Sequence, residues 1–183
     1  MNVSTRHALA SWLAAAWLVT APPLHAQTAT MTQTAQASDL FDFWIGDWDA
    51  SWIGTDGKPG RGRNRIGRIL DGKVLEENFE ETPDGTSPPL KGRSLSVLHQ
   101  LLGQWRQSWV DNQGGYFSFT GLAEGDRRIF ITDTVMKNGQ PSAQRMVFHD
   151  IRKDTFTWDW ESTGDGGKTW KLLWRIHYKR HAP

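Results

Sequence analysis

The chain has 183 residues, with 21 Lys and Arg against 20 Asp and Glu, a formal charge of +1. That near balance lacks the basic excess on which nucleic-acid binding depends, so no nucleic-acid partner is expected. The chain has no cysteine, which excludes a disulfide framework and a lipidated lipobox cysteine.

Arg6 and His7 precede a short apolar run, Trp12 to Val19. Pro22 and Pro23 break the run, and Leu24-His25-Ala26 ends it ahead of Gln27. This order predicts a secretory signal peptide over residues 1–26. The run is well short of the roughly 20 residues a spanning helix needs. A mature chain from Gln27 would have no transmembrane segment and would be periplasmic or secreted. Without Arg6 its basic and acidic residues are equal in number. Residues 27–37 are Thr, Gln and Ala without an apolar period, and read as a disordered tether. Residues 38–183 form one domain with enough chain for a real core.

Ser38 is placed as a helix N-cap, with Asp39 in the first turn. Leu40, Phe41, Phe43 and Trp44 follow, and Gly46 ends the short helix so predicted. From Trp48 onward, turn signals recur at short spacing: Asp56-Gly57, Asp71-Gly72, Asp84-Gly85, Asn112 to Gly115, Glu124-Gly125-Asp126, Asn138-Gly139 and Asp165-Gly166-Gly167. Such pairs supply the positive φ of tight hairpins. Between them lie short runs rich in Trp, Phe, Ile, Val and Thr. They predict ten strands, at 48–54, 61–69, 73–81, 91–99, 104–111, 116–123, 127–135, 143–150, 155–161 and 169–180. Short connections imply antiparallel neighbours, and a meander of this size loses its edges by closing. The expected fold is all-β: an up-and-down antiparallel barrel of about ten strands, with the short N-terminal helix capping one end. Thr82 to Leu90 carries three prolines and reads as an exposed loop at a mouth.

The chain holds 11 Trp, two of them in the leader. Of the other nine, all but Trp44 share strand faces in pairs: Trp48 with Trp52, Trp105 with Trp109, Trp158 with Trp160, and Trp170 with Trp174. In a barrel such faces serve as core and as pocket lining at once. Arg61, Arg63 and Arg65 alternate along one strand and suit a solvated face. Arg63 also counts, with Glu77, Gln107, Asp111 and Arg145, among polar strand residues that would need a partner or a polar ligand if they faced inward. The candidate ligand-binding set is Arg63, Glu77, Trp105, Gln107, Trp109, Asp111, Arg145 and His149. No Ser-His-Asp order, phosphate loop, dinucleotide fingerprint or metal-ligand spacing is present, so no catalytic residue, metal or cofactor is assigned.

Thr163-Gly164-Asp165-Gly166-Gly167-Lys168-Thr169-Trp170 fits the Asp-box pattern and resembles the hairpins that decorate sialidase propellers. The resemblance implies a structural role for Thr163, Asp165, Gly167, Thr169 and Trp170. One copy is too few for a propeller.

The block Phe41-Asp42-Phe43-Trp44-Ile45-Gly46-Asp47-Trp48 is followed by Asn64-Arg65-Ile66, by Asp71 to Glu77, by Gly92-Arg93-Ser94 and by Trp105 to Asp111. With the closing Asp165 to Trp170, this order resembles the DUF1579-type bacterial family of unknown function, over residues 39 to 180. The resemblance implies a calycin-like barrel and brings no activity with it. More distantly, Gly46-Asp47-Trp48 is similar to the lipocalin Gly-x-Trp, whose Trp closes the barrel base under a basic residue of the last strand. It implies a plug of Trp44 and Trp48 with Arg175 or Arg180 across it. A ten-stranded barrel is also similar to the nitrobindin-like haem barrels, with His149 or His177 as the implied axial ligand.

The expected function is binding of a small hydrophobic or sugar-like ligand inside the barrel. The alternatives are an enzyme using Asp111, Glu77 or His149 as acid or base, a haem barrel, and an interaction module without a ligand.

Overall fold

The computed structural model describes residues 38–85 and 88–182; the predicted signal peptide and tether lie outside the described residues. Eleven strands follow in chain order: β1 (Gly46–Ile53), β2 (Pro59–Ile69), β3 (Val74–Glu81), β4 (Lys91–His99), β5 (Gln104–Asp111), β6 (Tyr116–Glu124), β7 (Arg127–Thr132), β8 (Val135–Lys137), β9 (Gln140–His149), β10 (Thr155–Thr163) and β11 (Lys171–Arg180). All pairings are antiparallel, and the pairing of β9 with β10 closes the sheet. Ten strands therefore form an up-and-down barrel. β8 is an extra strand that pairs only with the start of β9.

Two expectations are corrected. The predicted strand 127–135 breaks after Thr132, and its end becomes β8. The predicted N-terminal helix is a single 3-10 turn, Asp42–Trp44, with no side-chain cap; Ser38 does not start it. Its bonds run from the amides of Trp44 and Ile45 to the carbonyls of Phe41 and Asp42. So short a segment cannot offset α-helix nucleation. The 3-10 period also puts residues i and i+3 on one side, so Phe41 and Trp44 both enter the barrel.

Those rings build the closed end. Phe41 stacks on Phe130 at 4.2 Å and meets Trp105 edge-on at 5.3 Å. Trp44 meets Phe148 edge-on, and Trp48 meets Phe156 at 4.8 Å. The Trp48 indole N–H donates to the Trp44 carbonyl at 2.8 Å. Trp48 pairs with Arg180 across the β1–β11 ladder, so both point to one side. The Arg180 guanidinium lies 4.2 Å from the centre of the Trp48 ring and donates to the carbonyl of Lys153. Gly46 makes room for it: its φ is +148°, and a Cβ there would stand 2.2 Å from Arg180 Nη1. Arg175 takes no part. It lies on the outer wall and forms two hydrogen bonds to Asp159.

Inward residues alternate along each strand and pack into one core. The outer wall carries the complementary set. Arg63 pairs with Asp47 there, so its inward placement is corrected. Arg145 also faces out, bonded to Glu161 at 2.6 Å and stacked under the Trp170 ring at 4.0 Å. The 163–170 hairpin packs beside it. Asp165 accepts from the amides of Lys168 and Thr169 and from the hydroxyls of Thr163 and Thr169. These bonds hold its carboxyl far below the ordinary value, those from Thr169 and Thr163 being the strongest.

Candidate functional site

The open end of the barrel lies opposite the Trp48 plug. It is not filled to the mouth. β4 presents Gly92, Ser94 and Ser96 to the interior, three small residues where other strands present Trp or Phe. The Trp109 ring swings into that space and lies over Gly92; a Cβ there would meet its Cζ2 at 1.9 Å. Trp109 is held by its indole N–H, which donates to Asp111 at 3.0 Å. Asp111 in turn accepts from the amides of Gln113 and Gly115. Burial pushes the Asp111 carboxyl up, but these donors outweigh it and leave it below the ordinary carboxylate range.

A cavity of about 170 Å³ remains between these elements. β5 stands five strands from β11 in either direction round the ten-stranded ring, so Trp109 faces a second aromatic wall across the interior. That wall is Trp158 and Trp160 of β10 and Trp174 of β11. Trp158 and Trp160 are parallel within 5°, with centres 6.3 Å apart. Trp174 stands at 88° to Trp158, at 5.7 Å. Phe117 closes the side next to Trp160.

The polar end of the cavity is Glu77, only 6% exposed. The ladder sets it opposite Ser94 on β4 and Ile66 on β2. Its Oε1 accepts from Asn64 Nδ2 and its Oε2 from the Ser94 hydroxyl, both at 2.7 Å. Burial raises the Glu77 pKa to about 7, the two hydrogen bonds opposing it. Tyr178 also lines the cavity. Burial, and then the Glu77 charge, push its phenol far above the ordinary value, against a hydrogen bond with Asn64. One layer deeper, Gln107 donates to Ser96 at 2.9 Å. Asn64 Oδ1 and Gln107 Oε1 are buried acceptors without a partner among the described residues.

The eight sequence candidates thus separate. Glu77, Trp109 and Asp111 line the cavity. Trp105 and Gln107 are buried beneath it, Trp105 packed against Phe41 of the closed end. Arg63, Arg145 and His149 are on the outer wall. His149 contacts Asp150 and Asp159 at 2.8 and 3.2 Å, and His177 faces Thr157 across the same outer surface. Neither imidazole reaches the interior, so the haem reading has no axial ligand there. Glu77, Asp111 and His149 have separate partners and do not form an acid–base pair. No group of three or more His, Cys, Asp or Glu among the described residues is arranged to hold a metal.

Asn64, Ser94 and Tyr178 are not among the eight sequence candidates. A signal did exist for two of them. Asn64 alternates with Arg63 and Arg65, and Ser94 with Arg93 and Leu95. If the long basic chains face out, the small polar ones face in.

No family model and no curated protein matches the chain. Two solved structures are similar to this chain. One is described as a de novo designed fluorescence-activating β-barrel, at 12% identity and a TM-score of 0.42, covering 78% of this chain and 98% of that one. The other is described as EF1p2_mFAP2b bound to DFHBI, at 12% identity and a TM-score of 0.38, covering 82% of this chain and 99% of that one.

Proposed function

We propose that this protein is an exported barrel that holds one small, partly apolar ligand in its open end. The carrying observation is the cavity itself. Flat aromatic rings face each other across it, and a single buried carboxyl lies at its inner end. Ligand sites have this build: mostly apolar walls with a few fixed polar groups. A core selected for stability alone would fill the space between Trp109 and the wall of Trp158, Trp160 and Trp174, since cavities are costly. It would not bury a carboxyl there either. The Trp48–Arg180 closure supports a calycin-like barrel with entry from the opposite end. The order of motifs supports a place beside the DUF1579-type proteins. Export rests on the leader.

Native mass spectrometry of full-length protein purified from its own host tests this reading. The expected result is a bound mass of small-molecule size that is lost on denaturation. A bare polypeptide mass in every charge state would count against it. So would the lack of a thermal shift across small aromatic, aliphatic and sugar ligands.

A further inference from the structure

The same cavity says which ligands it accepts, provided that interior binding is the function. Its described lining holds two carboxylates, Glu77 and Asp111, and no Lys, Arg or His. An anionic ligand would enter a low-dielectric space with no cation to pair it and with like charges at both ends. A cation meets the reverse. Carboxylates stand at the floor and the mouth, and the rings between them are those of Trp109, Trp158, Trp160 and Trp174. Indole is the best ring for cation–π attraction, which grows when the cation is desolvated. Trp174 and Trp158 stand at right angles, so they offer a corner rather than a slot. A compact, rounded head fits a corner better than a flat tail does.

Size narrows the class. An apolar cavity of about 150 Å³ takes one benzene ring, and this one is about 170 Å³. A long acyl chain could enter only in part, with the rest outside the mouth.

We propose that the interior site binds a compact organic cation, an amine or quaternary ammonium on a body about the size of one aromatic ring, and rejects carboxylates. Glu77 supplies the charge at the floor. The groups that face it are Asn64 from β2, Ser94 from β4, Tyr178 from β11 and, toward the mouth, Asp111 from β5; none is a cation. A bound cation therefore stabilises the ionised carboxyl and releases a proton as it enters. Affinity for the cation rises with pH through neutrality, while affinity for a neutral analogue does not.

Titration calorimetry on the full chain tests this with three probes of similar size: phenyltrimethylammonium, its uncharged isostere tert-butylbenzene, and benzoate. At pH 8 the cation is expected to bind at least about tenfold more tightly than the isostere, the range set by desolvated cation–π contacts. Benzoate is expected not to bind. At pH 5.5 the cation's advantage shrinks severalfold. In Glu77→Gln the ratio of the two affinities falls toward one, and in Trp174→Ala the cation binds more weakly. If tert-butylbenzene binds as tightly as the cation at pH 8, or benzoate binds comparably, the cation proposal is overturned and interior binding stands. A cation preference that survives both low pH and Glu77→Gln overturns it as well. If none of the probes binds and no ligand copurifies, both readings fail together.

Discussion

Glu77 makes stability depend on pH in a direction opposite to the ion-paired and hydrogen-bonded carboxylates Asp47, Asp111 and Asp159. Its pKa is raised from 4.5 to about 7 by burial. The folded protein therefore holds a proton that the unfolded chain gives up between those values. The stabilising contribution is whole below pH 4.5 and is lost as pH rises through 7. A displacement of that size corresponds to roughly 3 kcal/mol between the two ends of the window. Asp47, Asp111 and Asp159 have lowered pKa values, so their contributions are lost only in stronger acid, outside this window. Glu77→Gln isolates the effect. Gln is uncharged, its Oε1 can accept from Asn64 and its Nε2 can donate to the Ser94 hydroxyl. Urea unfolding followed by far-UV circular dichroism, at pH 4.5, 6 and 8, should show the two proteins similar in acid. At pH 8 the variant should be the more stable by roughly 2–3 kcal/mol, or on the order of 10 °C in Tm. Parallel stability curves for the two proteins across this range would show that the carboxyl titrates as if solvated, and would refute the reasoning.

Gly92→Ala places a methyl inside the Trp109 ring. The ring must leave, at a cost of about 1–3 kcal/mol for overpacking, and its fluorescence should shift toward that of a solvated indole; unchanged emission would count against the packing. Arg180→Ala removes the guanidinium from Trp48 and its bond to Lys153. A loss of roughly 1–3 kcal/mol in urea titration is expected, with ligand affinity unaffected because the plug is at the far end. Asp165→Ala should abolish hydrogen-exchange protection at the Lys168 and Thr169 amides, which Asp165 holds, while the strand amides of β9 and β10 keep theirs. General loss of protection would mean that the hairpin supports the whole barrel.

Local chemistry determined much of this protein from the sequence. The turn pairs set where strands end, and alternation between them predicted a closed antiparallel meander. The strand positions and the Trp44–Trp48 plug were readable because each depends on residues near in sequence. Glu77, Trp109 and Asp111 were readable as site candidates for a related reason. Each sits in a strand whose inward phase is marked by unambiguous apolar neighbours, as Leu75 and Phe79 mark Glu77.

What tertiary structure decided is the phase of strands that bury both faces. In β9 the run Met146-Val147-Phe148 is buried throughout, so alternation cannot say which way Arg145 and His149 point. The pairing of Met146 with Trp160 and Phe148 with Trp158 decides it, and sends both polar chains outward. The choice between Arg175 and Arg180 across Trp48 likewise needed the β1–β11 register. The short helix became a 3-10 turn because two rings three residues apart had to enter the same barrel end. The cavity itself is a product of non-local contact. Glu77, Trp109 and Asp111 are scattered along the chain, and become a site only when the closed sheet sets them opposite Trp158, Trp160 and Trp174. Side-chain period is a property of one strand, whereas the volume left inside is a property of ten strands together.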